Sequence, residues 1–357
     1  MSNLADRFKY EGDRALVEKL ADHLEAAEDA ALFHIDVYGL AKSWGADRKA
    51  LLELFIRGLR EGIFRMEWEY HCPHCGAIPN ETLSIHDATA ENYCGLCNRG
   101  FTNKLDDNIE VFFSIHPEVR NISPEFKAAY AKSVVDSFMG TRMFKWRGDS
   151  VIRGVDIIQN PVYRDLMGDE VLLPDQSLEM MRSTILFTDI KGSTRMYTEL
   201  GDSKAFRLVR EHFRILFDVI AAHNGVPVKT IGDAVMGVFS DQADGLRAAL
   251  EAQKAIRARY ASLGADEKIE IKIGMHTGST IVVTLNGRLD YFGSTVNMAA
   301  RVQARALPNE VIVTEPLFES AENRRIIGGY VRQVARERVV FKGLDGERSV
   351  YHINVSA

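Results

Sequence analysis

Asp189 stands near the end of the apolar, β-branched run STILFTDI, and Asp233 follows Gly232 in VPVKTIGDAVMGVF. The first run reads as a buried strand with an acid at its C-terminal mouth. The second reads as two short strands joined at Gly232-Asp233, a hairpin with an acid at its tip. Singly, each has an ordinary explanation, because Asp caps helices and Gly-Asp makes turns. Together, a strand-end carboxylate and a hairpin-tip carboxylate on a neighbouring strand can converge on one spot. Lys191-Gly192-Ser193-Thr194 follows Asp189 as a small-residue turn opening a helix, and its backbone N–H groups can face an anion. Two carboxylates beside such a turn suit two magnesium ions bound with nucleotide phosphates. Repulsion between the carboxylates itself calls for a cation.

The second constellation is cysteine. All four cysteines of the chain lie between residues 72 and 97, as Cys72-x2-Cys75, then 18 residues, then Cys94-x2-Cys97. That spacing presents two thiolates from each of two tight turns, the pattern of a tetrahedral zinc site. Pro73, Gly76 and Gly95 supply the turn residues. Two disulfides or four free thiols are the alternative, and disulfides are disfavoured in a cytosolic chain. His71 and His74 are alternative ligands. Four thiolates leave no open coordination position, so the expected zinc is structural.

The elements that must carry these groups follow from periodicity. Residues 14–33 and a segment from about Asp47 to Glu61 have helical spacing, with a short helix over Tyr38–Trp44 between them. Ile63–Tyr70 alternates as a strand, and Phe101 to His116 returns as another. Helix, helix, turn, helix and strand in that order resemble a winged helix, with the cysteine knuckles where the wing would be. A helix is expected from Ser123-Pro124 through about residue 144. Gly148, Gly154, Pro161, Gly168 and Pro174 read as a loop-rich join. Beyond it the spacing predicts strand 183–190, two helices ending near His223 with Phe206, Val209, Phe213, Leu216, Phe217 and Ile220 on the apolar side, the hairpin, and helix 241–261. Strands 269–277 and 280–285, helix 294–306, strand 310–314 and a closing pair near 338–342 and 349–354 complete it.

FTDIKGST, KTIGDAVMGVF and DYFGSTVNMAAR, in that order, resemble the catalytic domain of class III nucleotide cyclases, from about residue 183 to 353. The amino-terminal half resembles, more weakly, the zinc-containing regulatory region found before some bacterial cyclases. The resemblance implies an α/β (α+β) fold: a ferredoxin-like palm with an antiparallel-rich sheet and helices on one side. Before it stands the winged-helix-like domain with its four-cysteine zinc knuckle. The domains are then 1–175, regulatory, with a zinc ribbon over about 70–102, and 176–357, catalytic. The resemblance further implies that Asp189 and Asp233, with the Ile190 carbonyl, hold two Mg2+ or Mn2+ ions per site. Asn297 would orient the ribose and Arg301 would meet charge on the α-phosphate, the two sharing one helix face at i and i+4. Lys229 and Asp290 would read adenine, so the reaction is ATP to 3′,5′-cyclic AMP and pyrophosphate. Gly192, Ser193 and Thr194 would line the triphosphate, and Lys342 or Arg348 is a further triphosphate candidate. The implied site forms between two subunits, Asp189 and Asp233 from one and Lys229, Asp290, Asn297 and Arg301 from the other, so a homodimer is required.

Composition bounds the rest. The chain has 357 residues, 46% apolar and 26% charged, with a formal charge of −6. That is an ordinary globular composition for about two domains at roughly 150 residues each. The charge gives no general attraction to nucleic acid or anionic membrane. Residues 1–70 carry 10 Lys+Arg against 14 Asp+Glu, which argues against DNA binding by the winged-helix-like part. No apolar run approaches the ~18 residues of a membrane span. The opening MSNLADRFKYEGDR has charges where a signal peptide is apolar, so a cytoplasmic protein is expected. The alternatives are a guanylate cyclase and a DNA-associated regulator that binds nucleotide with little catalysis.

Overall fold

The computed structural model describes residues 4–8, 12–130, 132, 151–168, 170–264, 268–331, 334–341 and 346–355. The chain divides into two compact units: residues 1–180 with 282–289, and residues 181–281 with 290–357. Among the described residues, no helix is long and apolar enough to cross a membrane.

In the first unit, helices Arg14–Ala26, Val37–Trp44 and Arg48–Arg60 precede strand β1, Phe64–Tyr70. Asp47 caps the third helix, its carboxylate accepting from the Ala50 N–H at 2.8 Å. The helical pattern expected over 14–33 breaks at Ala27. There the Arg120 guanidinium donates to the Ala27 carbonyl at 2.6 Å and pairs with Asp29 at 2.9 Å. β1 lies between β2, Asn80–Thr82, and β5, Ile109–Ile115, antiparallel to both. β3, Glu91–Cys94, and β4, Arg99–Thr102, form a separate hairpin. The single strand expected over 101–116 is therefore two strands in two sheets. Buried Asn108 makes the bend, accepting from the Lys104 N–H at 2.7 Å and donating to the His71 carbonyl at 3.0 Å.

Residues 124–130 and 132 are helical; residue 131 and the helix expected from 133 to about 144 lie outside the described residues, as does Gly148. The join expected as loop holds two short helices, Gly154–Ile158 and Pro161–Leu166. Pro161 starts a helix there, with Asn160 accepting from the Val162 N–H at 2.9 Å.

The second sheet contains β6, Ser177–Ile190; β7, Val226–Ile231; β8, Ala234–Phe239; β9, Ile271–Leu285; β10, Arg288–Phe292; β11, Glu310–Thr314; β12, Ala335–Val340; and β13, Glu347–Asn354. Its order is β12-β13-β11-β9-β6-β8-β7, with β10 beside β9. β11 runs parallel to β9, while β6–β8, β7–β8, β11–β13 and β12–β13 are antiparallel, the antiparallel-rich α/β palm expected.

Helices Asp202–Ala222 and Gln242–Tyr260 bury Val209, Leu216, Ile220, Leu246 and Leu250 against one face, where β11 contributes Val311 and Val313. Phe206, expected on that apolar side, is exposed. Helix Ser294–Arg305 packs Met298 and Val302 with Ile312, Val339 and Val350 in a separate small core. Since neighbouring strand residues point to opposite faces, this helix lies on the other face, so the helices are not all on one side. Helices Glu315–Phe318 and Ala321–Tyr330 were not expected.

β9 is continuous where the spacing predicts a break near Gly278. A Cβ at Gly278 would lie 2.5 Å from Thr295 Oγ1, and one at Gly274 would lie 2.6 Å from Gln303 Cβ and closer to its backbone. The four-residue step from Gly274 to Gly278 spans about 13 Å of strand. The eight-residue step from Thr295 to Gln303 spans about 12 Å of helix. Both glycines therefore let one helix lie flat on β9.

Candidate active site and metal centre

The turn between β7 and β8 puts Asp233 against the end of β6. Its Oδ2 accepts from the Ile190 N–H at 3.1 Å, and the Thr188 hydroxyl takes the Val235 N–H at 3.1 Å. The β6–β8 register runs from Thr184↔Phe239 to Phe187↔Met236. Continued, it sets Ile190 opposite Asp233. Gly232 has φ +62, the left-handed conformation the tight turn requires. Asp189, Ile190 and Asp233 are thus neighbours. Lys272, on β9, pairs with Asp189 at 2.9 Å. Sequence reasoning missed it. The available signal was a lysine between two isoleucines, Ile271 and Ile273.

The charges do not balance. Among the described residues, two carboxylates face one lysine, and His212, which senses the Asp189 charge, does not help. Burial lowers its pKa to about 4 in spite of Asp189, so it is neutral at pH 7. The donor set therefore fits divalent cations: hard oxygen ligands with negative charge to spare. Gly192, at φ +68, precedes helix Ser193–Leu200, and no side chain caps the helix start. The first turn with Ser193 and Thr194 so keeps backbone donors for an anion.

Lys229 and Asp290 meet as an ion pair at 2.5 Å, Asp290 being nearly buried. A register irregularity between Pro227 and Lys229 in β7 re-aims the lysine. Asp290 Oδ1 also accepts from the Tyr291 N–H at 2.8 Å, and the Lys229 ammonium stands 5.5 Å from the centre of the Phe292 ring. The ammonium has three donors and uses one on Asp290. Asn297 is exposed and Arg301 half-buried on helix Ser294–Arg305. Among the described residues, neither side chain makes a hydrogen bond or ion pair with the carboxylates. Arg348 is exposed on β13, and Lys342 lies outside the described residues.

The four cysteine sulfurs all lie within 4.8 Å of one another. Cys72 and Cys97 are 3.6 Å apart, as are Cys75 and Cys94, and all four are free. A disulfide needs about 2.05 Å. A tetrahedron with zinc–sulfur bonds of about 2.3 Å has edges of about 3.8 Å. The geometry is therefore that of a tetrathiolate metal centre. Gly76 N–H donates to the Cys72 carbonyl at 2.7 Å in the first knuckle, and the β3–β4 hairpin forms the second. Burial opposes the Cys94 thiolate, but the backbone N–H groups of Cys97 and Leu96 and the Cys75 thiol outweigh it and lower its pKa to about 7. His71 and His74 stay outside the cluster. His71 turns to Glu110 and Glu69 at 3.3 and 3.5 Å, and His74 is exposed.

The chain is 27% identical over 271 residues to guanylate cyclase 2G of Rattus norvegicus, covering 67% of this chain and 23% of that one. It is 27% identical over 186 residues to an adenylate cyclase of Anabaena cylindrica, covering 48% and 36%. The adenylyl cyclase CyaB from P. aeruginosa is a similar solved structure, at 22% identity and TM-score 0.43, covering 51% of this chain and 97% of that one. The chain thus spans about a quarter to a third of the length of these two curated relatives. Residues 1–141 match a family of unknown function. Residues 176–354, half of the chain, match the adenylate and guanylate cyclase catalytic domain, and the protein belongs to that family.

Proposed function

We propose that the chain is an adenylate cyclase, converting ATP to 3′,5′-cyclic AMP and pyrophosphate in a homodimer. Residues 176–357 are its catalytic domain, and residues 1–175, with structural zinc on the four cysteines, are its regulatory region. The observation that carries this reading is the pair of acidic side chains at the β6 end and the β7–β8 turn, joined through Ile190 and short of positive charge.

Asp189, Asp233 and the Ile190 carbonyl would hold two Mg2+ or Mn2+ ions. Such ions, when bound, supply positive charge to the ribose 3′-hydroxyl and to the triphosphate. The chain's own residues do the rest. Gly192, Ser193 and Thr194 offer backbone donors to the phosphates, and Lys272 stands beside Asp189 to meet the same charge. Asn297 orients the ribose so that the hydroxyl attacks the α-phosphorus in line. Arg301 stabilises the charge that grows on the α-phosphate as pyrophosphate leaves. The second subunit supplies Lys229, Asp290, Asn297 and Arg301. Lys229 donates to adenine N1 with the protons that Asp290 does not take, and Asp290 accepts from the exocyclic amine. Guanine presents a donor at N1 and an acceptor at position 6, so the same pair opposes it.

Purified protein assayed with ATP and with GTP, each with Mg2+ or Mn2+, tests the reading. Cyclic AMP is expected from ATP, absent in Asp233→Ala. Cyclic GMP as the main product refutes the base assignment. Activity that survives Asp233→Ala refutes the metal assignment. Truncation near residue 178 that leaves activity and every tested response unaltered refutes the regulatory role of the first half.

A further inference from the structure

Helix Ser294–Arg305 buries three apolar side chains, Met298, Ala299 and Val302, with Ala306 just beyond its end. Polar contacts hold its C-terminal end. Arg305 Nη2 pairs with Glu337 Oε1 of β12 at 2.5 Å. The N–H of Leu307, two residues past the helix, donates to Glu310 Oε2 of β11 at 2.8 Å. Glu310 is itself fixed to the main core, since buried Gln253 donates to its carbonyl at 2.9 Å.

His352, on β13 between those two strands, touches both carboxylates. Its Nδ1 lies 3.0 Å from Glu310 Oε1, and its Nε2 lies 3.0 Å from Glu337 Oε2. Each ring nitrogen therefore meets one carboxylate oxygen at hydrogen-bond distance. The charged groups facing it are Glu310 from β11, Glu337 from β12 and, behind Glu337, Arg305 from the helix; Arg348 lies further along the same face of β13. Burial would raise the Glu337 carboxyl, but His352 and Arg305 hold it below the usual carboxylate range. The ring thus bridges Glu310 and Glu337 across β13.

We infer that His352 is a positioning residue for the cyclase reaction: it ties together Glu310 and Glu337, the two groups that hold the C-terminal end of helix Ser294–Arg305, and so sets where Asn297 and Arg301 stand. Residues 297, 301 and 305 are spaced i, i+4 and i+8, one stripe of the helix, so a shift at Arg305 moves the other two. The inference rests on the roles proposed above for Asn297 and Arg301.

The test uses the full-length chain and two readouts. In His352→Phe, kcat is expected to fall about tenfold with KM for the nucleotide within twofold, since the residues proposed to hold the triphosphate are untouched. Backbone hydrogen exchange over residues 301–307 is expected to quicken while helix Gln242–Tyr260 keeps its protection. His352→Gln, which keeps a donor toward Glu337, is expected to recover kcat to within threefold. Arg259→Ala, at the exposed pair with Glu211, is the unchanged control. Exchange over 301–307 at the wild-type rate in His352→Phe overturns the inference. So does a rise in exchange spread evenly through the unit, or a proportionate loss of kcat and affinity that His352→Gln does not recover. If His352→Phe does not fold, Arg305→Met and Glu337→Gln decide, because each cuts the outer link alone; wild-type kcat and exchange in both overturn it. A wild-type protein that makes no cyclic nucleotide refutes the proposed function, and hydrogen exchange then decides the inference separately.

Discussion

Gly274→Ala puts the smallest side chain where helix Ser294–Arg305 crosses β9. The added Cβ would lie 2.6 Å from Gln303 Cβ and closer to its backbone, whereas ordinary contact begins at 3.4 Å. Strand and helix must therefore separate by at least 3.4 − 2.6 = 0.8 Å. The strand is central, between β11 and β6, so the helix is the part that yields. Overpacking of this kind costs about 1–3 kcal/mol of stability. A misplacement of about 1 Å in groups that position a reacting substrate costs about 100-fold in rate. Gly274→Ala is expected to stay folded and lose about 100-fold in kcat, with KM changed far less. Gly328→Ala, where a Cβ meets nothing within 4 Å, is the control. Initial rates of cyclic AMP formation and a thermal melt on the same preparations measure both effects. A folded Gly274→Ala protein with kcat within threefold of wild type would refute the claim that the seat of this helix governs turnover.

Lys229→Glu reverses the donor toward the base, and its kcat/KM for ATP is expected to fall at least 100-fold; unchanged adenylate cyclase activity would end the base-recognition argument. Metal analysis is expected to find one zinc per chain, released by a strong chelator with loss of the β3–β4 hairpin, while Cys94→Ser binds none; a wild-type protein without zinc and with unaltered melting contradicts the tetrathiolate centre. His212 has a folded pKa lowered to about 4 from 6.5, so its contribution to stability is complete above pH 6.5 and lost as pH falls toward 4. At pH 5 the loss is about 2 kcal/mol. His212→Leu should therefore flatten the stability profile between pH 6.5 and 4, and an unchanged slope would show that His212 is not the group that titrates.

What could be read from the chain divides by the range of the cause. The Gly232-Asp233 hairpin, the Asp47 cap and the two cysteine knuckles are set by residues within a few positions of one another, and they form as the spacing predicts. The helix that stops at Ala26 does so for Arg120, some ninety residues away, which no local pattern announces. Gly278 shows the ambiguity most plainly. A glycine that breaks a strand and one that admits a helix are the same letter, and only the position of Thr295 distinguishes them. Phe206 fits the helical period yet is exposed, because periodicity marks an apolar stripe without saying what covers it. At the site, Asp189 and Asp233 stood out because an acid at a strand mouth or turn tip breaks an apolar run. Lys272 lies near the start of β9 and His352 within β13. Their partners come from other strands, so their roles emerge only from sheet order.

The most direct test of the account is a crystal grown with Mn2+ and a non-hydrolysable ATP analogue, examined by anomalous scattering. Two manganese peaks are expected within ligand distance of Asp189 and Asp233, beside the triphosphate, with Asn297 and Arg301 of the partner subunit reaching the same nucleotide. Bound analogue with no ion near either carboxylate, in any pairing of chains, would contradict it.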